Sequence, residues 1–186
     1  MSGAPLRRVM IRRAGAEAIA TLQPLWISLH DHHVAVAPHL RELGPVRGAA
    51  GSWTVRSALY EEWLAEPDAF VMVAEVDGIA VGYALAHMRG EEESWQTGPR
   101  IAELETLAVL PGQRGNGIGR RLVDAVHAEL RRLGVAQLGV SVISANADAI
   151  RFYERLGLLP FCVSYLGNVP PGAPGDHHGS AGSTPI

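Results

Sequence analysis

The stretch Val109-Leu-Pro-Gly-Gln-Arg-Gly-Asn-Gly-Ile-Gly-Arg-Arg-Leu-Val123 constrains this chain more than any other. A β-like run over 101–110 enters it, and an amphipathic helical pattern leaves it. Between them Gly115, Gly117 and Gly119 fall at alternate positions behind Arg114. Glycine accepts positive φ and lets a ligand approach the backbone closely. A helix start leaves its first amide N–H groups unpaired and carries partial positive charge. Strand, glycine-rich turn and helix N-terminus together form a cradle for an anion, most often a phosphate.

Two common phosphate loops do not fit. A Walker loop needs Lys-Ser/Thr after the turn, but Arg120 follows Gly119. A G-x-G-x-x-G fingerprint begun at Gly115 would place its third glycine on Arg120. What fits is R-x-x-G-x-G, read as Arg114-Gly115-Asn116-Gly117-Ile118-Gly119. This resembles the acetyl-CoA pyrophosphate loop of the GNAT superfamily of N-acetyltransferases, including the strand ending Leu107-Ala108-Val109 and the turn at Pro111. A second stretch, Val140 to Gly157, is similar to another signature of that family: a strand, then Asn146, then a short helix carrying Phe152-Tyr153, then Gly157. Locally, Asn146 suits an N-cap and Gly157 a C-terminal stop. Ala149, Ile150, Tyr153 and Leu156 share one helical stripe.

The 186 residues suffice for one domain with a sizeable core. With 47% hydrophobic and 19% charged residues the composition is globular. A net charge of −3 and scattered arginines argue against nucleic acid as a main partner. No apolar run approaches a membrane span, and the N-terminal residues lack a signal-peptide core. A single cysteine, Cys162, precludes an internal disulfide and points to the cytoplasm. Cys162 lies in an apolar run over 158–163 and reads as a small core residue.

The periodicities predict a strand at 9–13, a helix at 17–33 and an irregular stretch at 34–51. A helix at 54–65 follows, then strands at 69–76 and 79–88 about the tight-hairpin dipeptide Asp77-Gly78. A polar loop at 89–99 precedes a strand at 101–110. A helix at 117–133 carries the stripe Ile118, Leu122, Val126, Leu130 and Leu133. A strand at 137–143, a helix at 147–156 and a last strand at 160–166 complete the pattern. The order is mixed α/β: a mostly antiparallel twisted sheet flanked by helices, ending in a β-α-β crossover. That is also the GNAT-like element order. Residues 1–8 read as an extension, 9–166 as the domain and 167–186 as a disordered tail rich in Gly, Pro, Ser and His.

Acetyl transfer to an amine needs a polarised thioester, a neutral amine and a proton for the departing thiolate. Glu103 and Glu105 lie on the strand that feeds the loop. By alternation they share a face with Leu107 and Val109, and either carboxylate can take the amine's proton. The resemblance implies that a Glu on this strand is the base, with Glu103 preferred by spacing. It also implies Tyr153 as the general acid, and a backbone N–H of Leu107, Ala108 or Val109 on the thioester carbonyl. Arg114, Gly115, Asn116, Gly117, Ile118 and Gly119 are the expected cofactor contacts. Asn146 either touches the pantetheine or only caps its helix.

The cluster His30-Asp31-His32-His33 lacks the i, i+4 spacing of a helical metal site. The cluster reads as a helix end; the resemblance, in which the first helix lines the acceptor pocket, implies His33 as a substrate contact. Glu91-Glu92-Glu93 reads as a solvated loop tip. No metal is expected. The implied co-substrate is acetyl-CoA and the implied partner an amine acceptor; no membrane partner is expected, and the oligomeric state is left open, a homodimer included. The alternatives are another acyl-CoA donor, an oxygen acceptor, or a CoA-binding module without turnover.

Overall fold

The computed structural model describes residues 8–170. Its sheet has five strands in the order β1 (Val9–Ala14), β2 (Phe70–Val76), β3 (Ile79–Arg89), β4 (Ile101–Val109) and β5 (Leu138–Gly139). The first four form an antiparallel meander, and β5 pairs with β4 in parallel. Helices α1 (Ile19–Val36) and α2 (Ala49–Leu64) join β1 to β2; α3 (Ile118–Arg132) joins β4 to β5, and α4 (Ala147–Arg155) follows. This is the mixed α/β architecture expected from the sequence.

Alternation along the strands supplies two apolar faces. Phe70, Met72 and Ala74 of β2 point to one side, where Ile118, Leu122, Val126 and Leu130 of α3 cover them. Val71 and Val73 point to the other, under Leu22 and Leu25 of α1 and Tyr60 of α2. A sheet covered on both sides reads as nearly continuous apolar runs. At the β2–β3 hairpin Asp77 and Gly78 both take positive φ, 52° and 79°, as a type I′ turn demands.

Several expectations need correction. The stretch 34–51 is more ordered than its prolines and glycines suggest: α1 runs on to Val36, a 3₁₀ turn covers Pro38–Leu43, and α2 begins at Ala49. The strand expected at 137–143 shrinks to Leu138–Gly139. Its pairing ends at Glu103↔Gly139, two residues before the extra residue of a β-bulge on β4. Leu85 pairs with Thr106 and Ala86 with Leu104, which leaves Glu105 as the extra residue. A bulge bends its strand and increases the twist, so β4 turns away and 140–143 loses its partner.

The strand expected at 160–166 does not form. Pro160 has no N–H for a ladder, and a two-residue β5 offers too short an edge to pair with. Cys162 is therefore exposed and not a core residue, along with Phe161, Val163 and Tyr165. The expected tail falls mostly on 171–186, outside the described residues.

Candidate active site

The loop after β4 is built as the glycines demand. Gly115 and Gly117 have φ of +79° and +75°, values that a side chain would strain. Nothing lies within 4 Å of a Cβ placed on either one. Gly117 is the N-cap of α3 and no side chain caps the helix start, so the first N–H groups of α3 and the positive end of the helix dipole are left for another partner. Asn116 is exposed beside them, and Ile118 is buried in the α3-side core, which anchors the helix start. Gly119 lies 3.6 Å, as a hypothetical Cβ, from Phe152 of α4, an ordinary contact. Arg114 is exposed, its Nε donating to the Val109 carbonyl at 3.0 Å. Between this loop and α1 runs an open cleft of about 460 Å³, lined by Arg114, Pro111, Asp31 and His32 among others.

Beside the loop, β4 has no strand partner beyond Glu103 on its β5 side among the described residues. The backbone edge at Leu107, Ala108 and Val109 therefore lines a gap between diverging strands. Asn146 caps α4, its side chain accepting from Ala149 N at 3.2 Å, and is buried. Tyr153 packs against the α3-side core and edge-on to Phe152. Burial pushes its phenol well above the usual value.

The bulge corrects the expected facing of β4. Glu103 and Glu105 share a face, but Leu107 and Val109 do not share it: these two pack toward α3. The carboxylates stand with His87 and Arg89 of β3 on the side of α1 and α2. Glu103 is half-buried, and burial raises its carboxyl above the usual carboxylate value, against the opposing pull of Arg89. Arg89 Nε donates to Glu103 at 3.3 Å, and Ser141 Oγ stands 3.5 Å from its other oxygen. Gly139 makes room for this carboxylate, since a Cβ there would lie 2.6 Å from Oε2.

Glu105 meets His87 Nε2 at 3.0 Å, and the Arg56 guanidinium lies 3.7 Å away. Arg56 in turn lies over the rings of Trp26, Tyr60 and Trp63, closest to Trp26 at 4.3 Å. Beneath them Tyr60, Tyr83 and Thr106 join their hydroxyls in the core: Tyr60 to Tyr83 at 2.8 Å and Tyr60 to Thr106 at 2.6 Å. Burial raises both phenols.

His33 is packed edge-on against Trp26, and burial lowers it to about 4. At neutral pH it is an uncharged and weak base. His30 is engaged with the Arg47 carbonyl and Asp31. At the loop tip Glu91 and Glu93 are exposed, while Glu92 folds back onto Arg89 at 2.6 Å.

The sequence reading missed His87, Arg89, Arg56, Gly82 and Gly139. His87 and Arg89 continue the alternation of Tyr83 and Leu85, which was the available signal, but their partners on β4 depend on the bulge. Gly82 sits where a Cβ would come 2.7 Å from the Ala108 carbonyl, so only glycine lets β3 lie this close to the end of β4.

Loop, gap and paired carboxylates coincide with a family match. The model of the acetyltransferase (GNAT) family matches residues 36–158, and the chain belongs to this family. A mycothiol acetyltransferase from Thermobispora bispora is 35% identical over 119 residues, 62% of this chain and 39% of that protein. The chain thus spans well under half the length of that relative. Among solved structures, an aminoglycoside N-acetyltransferase in complex with CoA superposes with a TM-score of 0.64 at 19% identity, covering 89% of this chain and 98% of the other. A ribosomal-protein-alanine N-acetyltransferase from Brucella melitensis biovar Abortus 2308 gives 0.59 at 20% identity, covering 87% and 100%. At these identities the two structures speak for the fold.

Proposed function

We propose that this chain transfers the acetyl group of acetyl-CoA to a primary amine of a small molecule or protein, by direct attack in a ternary complex. The observation that carries this reading is the uncapped start of α3 behind Gly115 and Gly117, placed next to a β4 edge that β5 has left. An anion binds at the helix start, and an extended thioester arm fits along the free edge. The GNAT membership supports the donor, and the N-acetyltransferase names of the two similar structures support a nitrogen acceptor.

In this reading Arg114, Gly115, Asn116, Gly117, Ile118 and Gly119 hold the pyrophosphate, with Arg114 swinging from the Val109 carbonyl to meet it. A backbone N–H of the segment Leu107-Ala108-Val109 polarises the thioester carbonyl. A β4 carboxylate takes a proton from the bound ammonium, the neutral amine attacks that carbon and the C–S bond breaks; the second proton lost by the attacking nitrogen replaces the one given to the thiolate. Glu103 is preferred, because burial raises its proton affinity and thereby makes it the stronger base. Tyr153 protonates the departing thiolate. Its own raised value keeps the phenol protonated at working pH, and a thiolate released into the same apolar surroundings is raised as well. Asn146 serves first as a helix cap.

The test is thiol release from acetyl-CoA against a broad panel of amines. Acceleration by at least one amine is expected, and no acceleration by any would overturn the reading. With an acceptor in hand, kcat/KM against pH for Glu103→Gln and Glu105→Gln assigns the base. Loss of the base leaves an amine that is mostly protonated below about 10.4, so its defect shrinks as pH rises.

A further inference from the structure

We propose that His87 is a positioning residue for the transfer: bridged between Glu66 and Glu105, it holds the β4 carboxylate pair in one orientation and ties its charge state to a carboxylate at the protein surface. The proposal rests on the reading that a β4 carboxylate receives the amine's proton.

The geometry is a chain of three groups. His87 Nε2 faces Glu105 Oε1 at 3.0 Å, and Nδ1 faces Glu66 Oε2 at 3.2 Å. The ring is fixed face to face on Trp63, 5.1 Å between centroids and 19° from parallel. The imidazole in the middle is the least exposed of the three, at 13%, with Glu105 at 22% on one side and Glu66 at 41% on the other. A neutral imidazole donates from one nitrogen only, whereas an ionised carboxylate only accepts. With a carboxylate on each nitrogen, the chain is fully hydrogen-bonded only when it holds one extra proton, on the ring or on one carboxyl.

The bridge sits among a defined set of charges. Glu66 faces the ring from the turn after α2, Arg56 of α2 stands on Glu105, Glu103 and Glu105 lie on β4, and Arg89 lies two residues along β3. His87 is also opposite Glu103 in the strand register. The Glu105 charge acts on Glu103 from the same face and raises its carboxyl, and the His87 imidazole acts in the opposite direction. His87 therefore reaches the preferred base through its neighbour and through the strand pairing.

Two experiments test the bridge. In nitrogen–proton correlation spectra of the imidazoles of the full ¹⁵N-labelled chain, Glu105→Gln is expected to move the Nε2 signal of His87, and Glu66→Gln the Nδ1 signal of the same ring. Signals that neither substitution moves would overturn the bridge, with no acceptor needed. In the second, His87→Phe keeps a ring on Trp63 and loses both hydrogen bonds. Removing the imidazole, which lowers the Glu103 carboxyl, leaves that carboxylate with a stronger hold on its proton, so the acidic limb of kcat/KM, measured with the best amine of the panel, is expected to move to higher pH by about 1 unit. A profile lowered uniformly with its limb in place marks a merely structural ring and overturns the proposal. The imidazole spectra judge the bridge even where His87→Phe fails to fold. Wild-type kcat/KM in both Glu103→Gln and Glu105→Gln overturns the base reading and the proposal with it, whereas unmoved imidazole signals overturn the bridge alone.

Discussion

Replacing Gly139 by alanine perturbs the candidate base without touching it. The new Cβ would lie 2.6 Å from Glu103 Oε2 and 3.5 Å from its Cδ. Non-bonded atoms settle near ~3.5 Å, so the carboxylate has to retreat by about 1 Å. The retreat breaks the 3.3 Å contact with Arg89 and the 3.5 Å contact with Ser141. Gly139 does not have positive φ, so alanine adds no backbone strain of that kind. The Arg89 side chain is 37% exposed, and a pair so screened contributes about 0.5 kcal/mol to stability, a shift of a few degrees in Tm at most. A reacting group misplaced by about 1 Å loses on the order of 10²-fold in rate. The expected result is thus a folded variant with kcat/KM down 10–100-fold, read by thiol release with the best amine and checked by thermal melting. A folded Gly139→Ala with wild-type kcat/KM would refute the placement of Glu103 as base. A loss of many degrees in Tm would refute the claim that the contact is local.

Tyr153→Phe should lower kcat by about 10²–10⁴ and leave acetyl-CoA affinity almost unchanged, because the ring remains; wild-type kcat where chemistry limits turnover would return Tyr153 to a packing role. Tyr60→Phe should cost about 1–3 kcal/mol in a urea melt, since it strands the buried hydroxyls of Tyr83 and Thr106; an unchanged midpoint would contradict the network. His33, lowered to about 4 by burial, stays neutral in the folded chain while the unfolded chain takes up its proton near 6.5. Stability should therefore fall as pH drops from about 6.5 to about 4, by roughly 1–2 kcal/mol after solvent screening, and His33→Gln should remove that part of the slope. Parallel stability curves for the two proteins would contradict it.

The sequence was most informative where local chemistry decides structure. Gly115 and Gly117 have the positive φ read from their spacing, Asn146 caps α4, Gly157 ends it with φ of +88°, and Asp77-Gly78 makes the hairpin. The stripe from Ile118 to Leu130 is buried against the sheet. It was least informative where two distant segments decide together. The bulge at Glu105 is a mismatch between β3 and β4, and neither strand alone reveals it. That one residue reverses the facing of Leu107 and Val109, ends the pairing with β5 and sets the carboxylates opposite His87 and Arg89. The apolar residues of 160–166 promised a strand, but a strand also needs an edge, and β5 stops at Gly139.

The central claim is that the start of α3 receives the pyrophosphate of CoA, and calorimetric titration of CoA tests it most directly. The chain should bind one CoA, and Gly117→Val should weaken binding by at least about 10-fold, because the branched side chain fills the approach to the helix start and is strained at a φ of +75°. Failure of the folded wild-type chain to bind CoA, or equal affinity in a folded Gly117→Val, would contradict the account.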